Sequence, residues 1–242
     1  MKFSVLLLSI FFCSMAFNPS PNFVKDEILG AWETGADDER TLRIYAGNYF
    51  SIATYNHSGK EFISTSGGHY KIEGNKLIET IEFDTRTPDN VGKQYTSTIK
   101  FKKGNMTIES DQKSSWSRVD DGTPGKLSGA WLITGRVRNG EVRRSTPGVR
   151  KTMKILSGTR FQWIAYNTET KEFFGTGGGT YITVDGKYTE NIEFFSRDNN
   201  RVGASLSFDF SIVDGEWNHK GFSSKGDPLE EIWTRREVLD KN

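Results

Sequence analysis

Glu79 and Glu190 each stand two residues before an isoleucine and four before a phenylalanine, in the matching runs Glu79-Thr-Ile81-Glu82-Phe83 and Glu190-Asn-Ile192-Glu193-Phe194. In an extended chain such a glutamate shares a face with the apolar residues that a core would take. A carboxylate there needs a cation, a donor or water. Arg86 and Arg197, seven residues further on, are the nearest cations in sequence. Glu82 and Glu193 alternate onto the opposite face, so Glu79 and Glu82 cannot flank one bond as a glycosidase pair would. A buried ion pair, a carboxylate wetted at the mouth of a fold and a polar anchor for a ligand all remain open.

Other reactive patterns are weaker. The three histidines, His57, His69 and His219, have no ligand spacing between them, and Thr168, Thr180 and Ile108 stand at their repeat-equivalent positions. No metal and no cofactor are therefore expected. A Gly-x-Ser-x-Gly elbow is absent, which removes the usual serine hydrolase reading. The cluster Gly175 to Gly179 is not followed by a lysine-serine pair or a helix signature, so it reads as a kinked or bulged strand rather than a phosphate loop. Cys13 is the single cysteine, and it falls in an apolar N-terminal run, Phe3 to Phe12, that leads to Ser14-Met15-Ala16. This has the form of a secretory signal peptide over residues 1–16. Phe11-Phe12 are too large for a lipobox, so a secreted or periplasmic protein without a lipid anchor and without disulfides is expected. With 32 basic against 31 acidic residues over the whole chain, no global field favours nucleic acid or an anionic membrane.

These residues are positioned by a repeat. Residues 153–203 align without a gap on residues 42–92, 111 positions earlier, with 20 of 51 identical. An internal duplication of this length sets the architecture. Each half consists of short alternating runs rich in β-branched and aromatic residues, such as Thr41 to Tyr45, Tyr49 to Tyr55, Lys76 to Phe83 and Ser205 to Val213, where Leu206, Phe208, Phe210 and Ile212 read as inward. Turn signals such as Ala46-Gly47-Asn48 and Glu73-Gly74-Asn75 separate them. About eight strands per half, with no sustained helical period, predict an all-β chain of two tandem up-and-down eight-stranded barrels, since closure removes both sheet edges, with a sandwich as the runner-up. The boundaries are 23–120 and 127–238, joined by a linker over 121–126 that is polar and rich in breakers, and each half is expected to fold as a unit. Most strands are shorter than the ~9 to 11 residues that cross a bilayer, so the barrels are not expected to span a membrane.

Gly30-Ala31-Trp32 opens the first half and Trp116-Ser117-Arg118 closes it; Gly129-Ala130-Trp131 and Trp233-Thr234-Arg235 do the same for the second. First and last strands are neighbours in a closed barrel, so Trp32 with Arg118 and Trp131 with Arg235 are the expected closure pairs. This doubled Gly-x-Trp and arginine pattern resembles the lipocalin and wider calycin signature. The runs Phe161 to Asn167, Gly175 to Tyr181 and Glu190 to Ser196, with Glu231-Ile232-Trp233, make the chain similar to lipocalin-like domains of uncharacterised secreted proteins from Bacteroidetes-type bacteria. The first half departs from the pattern, with Ile52, Ser64 and Ser66 where the second has Trp163, Gly175 and Gly177. The resemblance implies a barrel and no particular activity.

Small barrels either fill their interior or hold one small molecule in it. Phe161, Trp163, Phe208 and Phe210 share inward parity in the second half, and Ile52 marks the equivalent wall in the first, where Ser97 and Thr54 suggest a roomier and more polar interior. Trp163 with Glu190, and Ile52 with Glu79, are the expected ligand contacts: a stacking face and a polar anchor. The segment from Arg136 to Lys151 carries six cations, one acid and a hairpin-forming Asn139-Gly140, so it reads as a basic ribbon at a barrel rim, suited to an anionic glycan or lipid headgroup. The function expected is that of a secreted, non-enzymatic binding protein for a small apolar or amphipathic ligand. The alternative is an interaction module with filled barrels that meets a glycan, envelope or protein partner through its surface.

Overall fold

A computed structural model describes residues 21–123 and 125–241; the proposed signal segment and Cys13 lie outside them. A short helix, α1 (Pro21–Glu27), leads into the first barrel: β1 (Gly30–Thr34), β2 (Arg40–Ala46), β3 (Tyr49–Asn56), β4 (Glu61–Glu73), β5 (Lys76–Asp84), β6 (Gln94–Lys102), β7 (Asn105–Glu109) and β8 (Lys113–Asp120). Each strand pairs antiparallel with the next, and β1 pairs with β8 to close the sheet. The second barrel is built alike from β9 (Gly129–Arg138), β11 (Arg150–Leu156), β12 (Arg160–Asn167), β13 (Phe173–Val184), β14 (Lys187–Phe195), β15 (Ser205–Val213), β16 (Glu216–Phe222) and β17 (Pro228–Arg235), with β9 pairing β17. An additional strand, β10 (Glu141–Arg144), pairs only with the end of β9. Asn139 and Gly140 between them both have positive φ, 53° and 78°, the two-residue turn that suits a twisted ribbon. A last helix, α2 (Arg236–Leu239), follows β17.

Two features of the strands have local causes. The long strands β4 and β13 run past their glycines without a break, because the pairing with the next strand shifts by a residue at Gly67/Gly68 and at Gly178/Gly179; a bulge absorbs the bend that closure demands. Ile212, expected inside, is 45% exposed, since it lies next to the β15–β16 turn, beyond the packed part of the interior.

At each closure the arginine lies over the tryptophan. The Arg118 guanidinium is 4.1 Å from the Trp32 ring centroid and that of Arg235 is 4.3 Å from Trp131. Each indole also donates to a carbonyl four residues earlier, Ile28 or Leu127, at 2.8 Å, so cation, ring and entering chain fix one another. The first interior is filled by Trp32, Tyr45, Phe50, Leu77 and Trp116, with Val24 and Ile28 from the N-terminal segment packed into the same cluster.

The outer walls are buried as well, where the barrels meet. Leu42, Ile44, Ala53, Tyr55 and Phe83 of the first form one apolar cluster with Leu132, Met153, Ile155, Ile164, Tyr166 and Phe194 of the second. Its contacts recur with the halves exchanged. Tyr55 donates to Glu193 at 2.8 Å and Tyr166 to Glu82 at 2.6 Å, while Tyr55 against Phe194 and Phe83 against Tyr166 both lie at 4.8 Å. Phe62 stacks on Phe173, its own repeat equivalent, at 6.2 Å. Such reciprocity marks an approximate two-fold axis through the pair. Glu82 and Glu193, on the outer face as their parity required, are thus interface residues. Glu82 also accepts from Arg236 at 2.5 Å and meets His69 at 3.1 Å; burial works against its charge, but these donors hold the carboxyl well below the usual range. Asp120, at the end of β8, accepts from the Ser157 and Thr159 hydroxyls and from the Gly158 and Thr159 amides at 2.6 to 3.1 Å, tying the linker to the second barrel.

Candidate functional site

A cavity of about 640 Å³ opens in the second barrel. The order expected from Ser97 and Thr54 is therefore reversed: in the first barrel Tyr45, Phe101 and Trp116 occupy the interior. Of the residues singled out in sequence, Trp163, Glu190 and Phe208 line the cavity together. Phe161 is fully buried in the packed end of the same interior, and Phe210 packs against that cluster without reaching the cavity. Ile52 and Glu79 face the filled first interior.

The floor of the cavity is an ion pair. Lys154 on β11 donates to Glu190 on β14 at 2.6 Å, with side chains only 6% and 5% exposed. Arg43 and Glu79 form the equivalent pair in the first barrel at 3.0 Å, joined by the Tyr45 hydroxyl. The partners of the inward glutamates are therefore the cations of β2 and β11, not Arg86 and Arg197. Arg86 is half exposed near Glu39, and Arg197 reaches the Phe174 carbonyl at the mouth. The reason is positional: Arg43 and Lys154 lie inside the same sheet, whereas Arg86 and Arg197 have left the strand. Around the Lys154 ammonium stand the rings of Tyr188, Phe208, Trp217 and Trp233 at 5.1 to 5.7 Å, so the cation is held by four faces as well as by its carboxylate.

Beside this pair lies His219, 2% exposed and 4.1 Å from the Phe208 ring centroid. Its Nδ1 is 3.6 Å from Glu231, too far for a hydrogen bond, and both ring nitrogens lack a partner. Burial, reinforced by the charge of Lys154, lowers its pKa to about 4, so the ring is neutral near neutral pH. Burial would raise the Glu231 carboxyl, but the charges of Lys154 and Arg136 help bring it below its ordinary value. Trp233 Nε1, on another cavity-lining residue, is also buried without a partner. Reading the sequence for ligand spacings passed over Lys154, His219 and Glu231. For Lys154 the available signal was its alignment with Arg43.

The upper wall depends on two glycines. A Cβ at Gly177 would lie 2.7 Å from the Trp163 indole nitrogen, and one at Gly175 would lie 2.5 Å from Arg197 Nε. Gly175 also has φ +153°. The absence of side chains lets the indole lie along β13 with Phe195 beside it, ring centroids 5.6 Å apart, and lets Arg197 cross the strand to the Phe174 carbonyl. The first barrel's Ser64, Ser66 and Ile52 leave out this whole arrangement. Above it, Arg136, Arg150, Arg201 and Lys225 ring the entrance.

The arrangement can enclose a molecule with an apolar body against Trp163, Phe195, Leu206 and Phe208 and offer it hydrogen-bonding groups at depth. Among the described residues no helix is long and apolar enough to cross a membrane. No curated protein matches the chain. Residues 126–242, a span that contains the second barrel and its C-terminal helix, match the family model described as a domain of unknown function, DUF4488.

Proposed function

We propose that the protein is a non-enzymatic, extracytoplasmic carrier that holds a small amphipathic molecule in its second, lipocalin-like barrel, with the first barrel as its scaffold. The observation that carries this reading is the cavity itself: about 640 Å³, within the range of small-molecule sites, walled by aromatic rings, with the unpartnered polar atoms of His219 and Trp233 on residues that line it. A buried donor or acceptor left without a partner costs ~1 to 3 kcal/mol, and a ligand's polar end would relieve that cost. Lys154 and Glu190 are closed on each other, which supports a binding role over a catalytic one. Secretion rests on the N-terminal sequence alone.

The test is uptake of Nile red, a neutral dye whose emission reports an apolar environment. The wild-type protein is expected to bind it, Trp163→Ala to lose at least ~tenfold in affinity through the missing stacking face, and Glu190→Gln to weaken it less. Ile52→Ala in the filled barrel is the comparison and should leave uptake unchanged. Uptake that survives Trp163→Ala would remove the second barrel as the site.

A further inference from the structure

A second hollow, of about 510 Å³, lies between the β9–β10 ribbon and β11 and is lined by Arg136, Arg138, Arg143, Arg144, Arg150 and Lys151. It is continuous in its lining with the barrel cavity, because Arg136, Arg150 and Thr152 border both. At the barrel's mouth the Arg150 guanidinium lies 4.5 Å from the Phe174 ring centroid and Arg197 donates to the Phe174 carbonyl; of the two, Arg150 borders the groove as well.

Half of the groove's six charges meet a carboxylate within the protein, and only one of them closely. That one is Arg144, by a two-bond contact with Glu216 at 2.6 and 2.9 Å. Arg136 lies 3.6 Å from Glu231 and Arg143 lies 4.0 Å from Glu141, both loose contacts. Among the described residues Arg138, Arg150, Lys151 and Arg197 have no carboxylate within the 4.0 Å of an ion pair. Like charges gathered without counter-charge on one wall repel each other and attract an anion. Guanidinium groups match the paired oxygens of a tetrahedral oxyanion, which they bind through two parallel hydrogen bonds. The three unanswered cations of the groove, Arg138, Arg150 and Lys151, also exceed what one carboxylate neutralises, whereas a phosphate monoester carries close to two charges at neutral pH.

We propose that the ligand is an anionic amphiphile whose apolar chain enters the second barrel and whose phosphate or sulfate ester head lies in the arginine groove, with Arg150 at the crossing between them. The proposal rests on the carrier reading above and adds the chemistry of the head and its place outside the barrel. It also accounts for β10, which takes no part in closing the barrel and whose pairing with β9 places Arg143 opposite Arg136.

Calorimetric titration of the whole protein with dodecyl phosphate and with dodecyl glucoside, both below their micellar range, separates chain from head. Dodecyl phosphate is expected to bind about tenfold or more tightly than the glucoside, and the difference is expected to fall away at about 0.5 M salt, where screening is short-ranged. In Arg138→Gln/Arg143→Gln, whose side chains line the groove and not the barrel cavity, the phosphate advantage is expected to drop to about twofold or less while glucoside binding is unchanged. Lys100→Gln/Lys113→Gln, the same charge change on exposed residues of the first barrel, should alter neither. Equal affinity for the two amphiphiles, or a phosphate advantage that survives in the arginine variant, would overturn the groove as the head site and leave the carrier reading standing. Binding of neither would overturn both. Inorganic phosphate alone is expected to bind weakly and not to block the glucoside; if it does block it, the anion sits inside the barrel and the proposal fails.

Discussion

His219 is neutral because of where it is, and that has a measurable sign. Its pKa falls from 6.5 in the unfolded chain to about 4 in the folded one, so between these values the unfolded state binds the proton and the folded state does not. Stability therefore falls as pH is lowered through this window, by ~3 kcal/mol in total, and the loss levels off below pH 4. Denaturant titrations from pH 7 to pH 4 should show this slope, and His219→Phe, which keeps a ring against Phe208, should flatten it; an unchanged slope would assign the effect to another group. The inward carboxylates were legible residue by residue, since Glu190 alternates with Ile192 and Phe194. Lys154 was not. Met153 and Ile155 flank it with the apolar side chains that ordinarily mark an inner face, but here they point outward into the other barrel. His219 alternates with Trp217 on its own strand, but its other ring neighbours, Phe208 and Tyr188, come from two further strands, so the cluster leaves no single spacing in the sequence.

Between β12 and β13 the fit of Trp163 over Gly177 makes the cavity wall a property of the strand pair. Gly177→Ser, which installs the first barrel's residue, should cost about 1 to 3 kcal/mol as the indole is displaced and should reduce dye uptake. Adding Trp163→Ile, the first barrel's other residue, should recover the stability but not the uptake, as read from thermal unfolding alongside Nile red titration. If serine alone is tolerated on both measures, the glycine has no part in shaping the wall. The strands were the part of the fold most open to sequence reading: alternation and turn chemistry marked all eight of the first half, and Asn139-Gly140 marked the ribbon. The helices were not visible, because α1 has seven residues and α2 four, too few for a period of 3.6 to register. Nor was the length of β4, which runs on through a bulge at Gly67-Gly68.

At the scale of the molecule, the two barrels share a core that neither closes alone. Tyr55, Tyr166, Phe83 and Phe194 are buried against the opposite barrel, and Arg236 reaches from the C-terminal helix to Glu82 across the contact. If a protease site is placed in the linker between Gly122 and Thr123 and cut, the two pieces should stay together on size exclusion with light scattering, and separate only in denaturant or after Tyr166→Ala with Arg236→Ala. Pieces that part on cutting would mean the linker, not the shared core, holds the pair. The doubled contact also bears on how the chain has been free to change. In a symmetric pair of identical barrels every substitution on the common face is inherited twice and must suit its own copy across the axis. Joined in one chain, the copies vary separately: Glu82 is met by Arg236 and Glu193 by Arg160, two different answers to one ancestral position. With both copies in one chain, one interior is filled with side chains while the other keeps a cavity, and the face that joins them need not change with either.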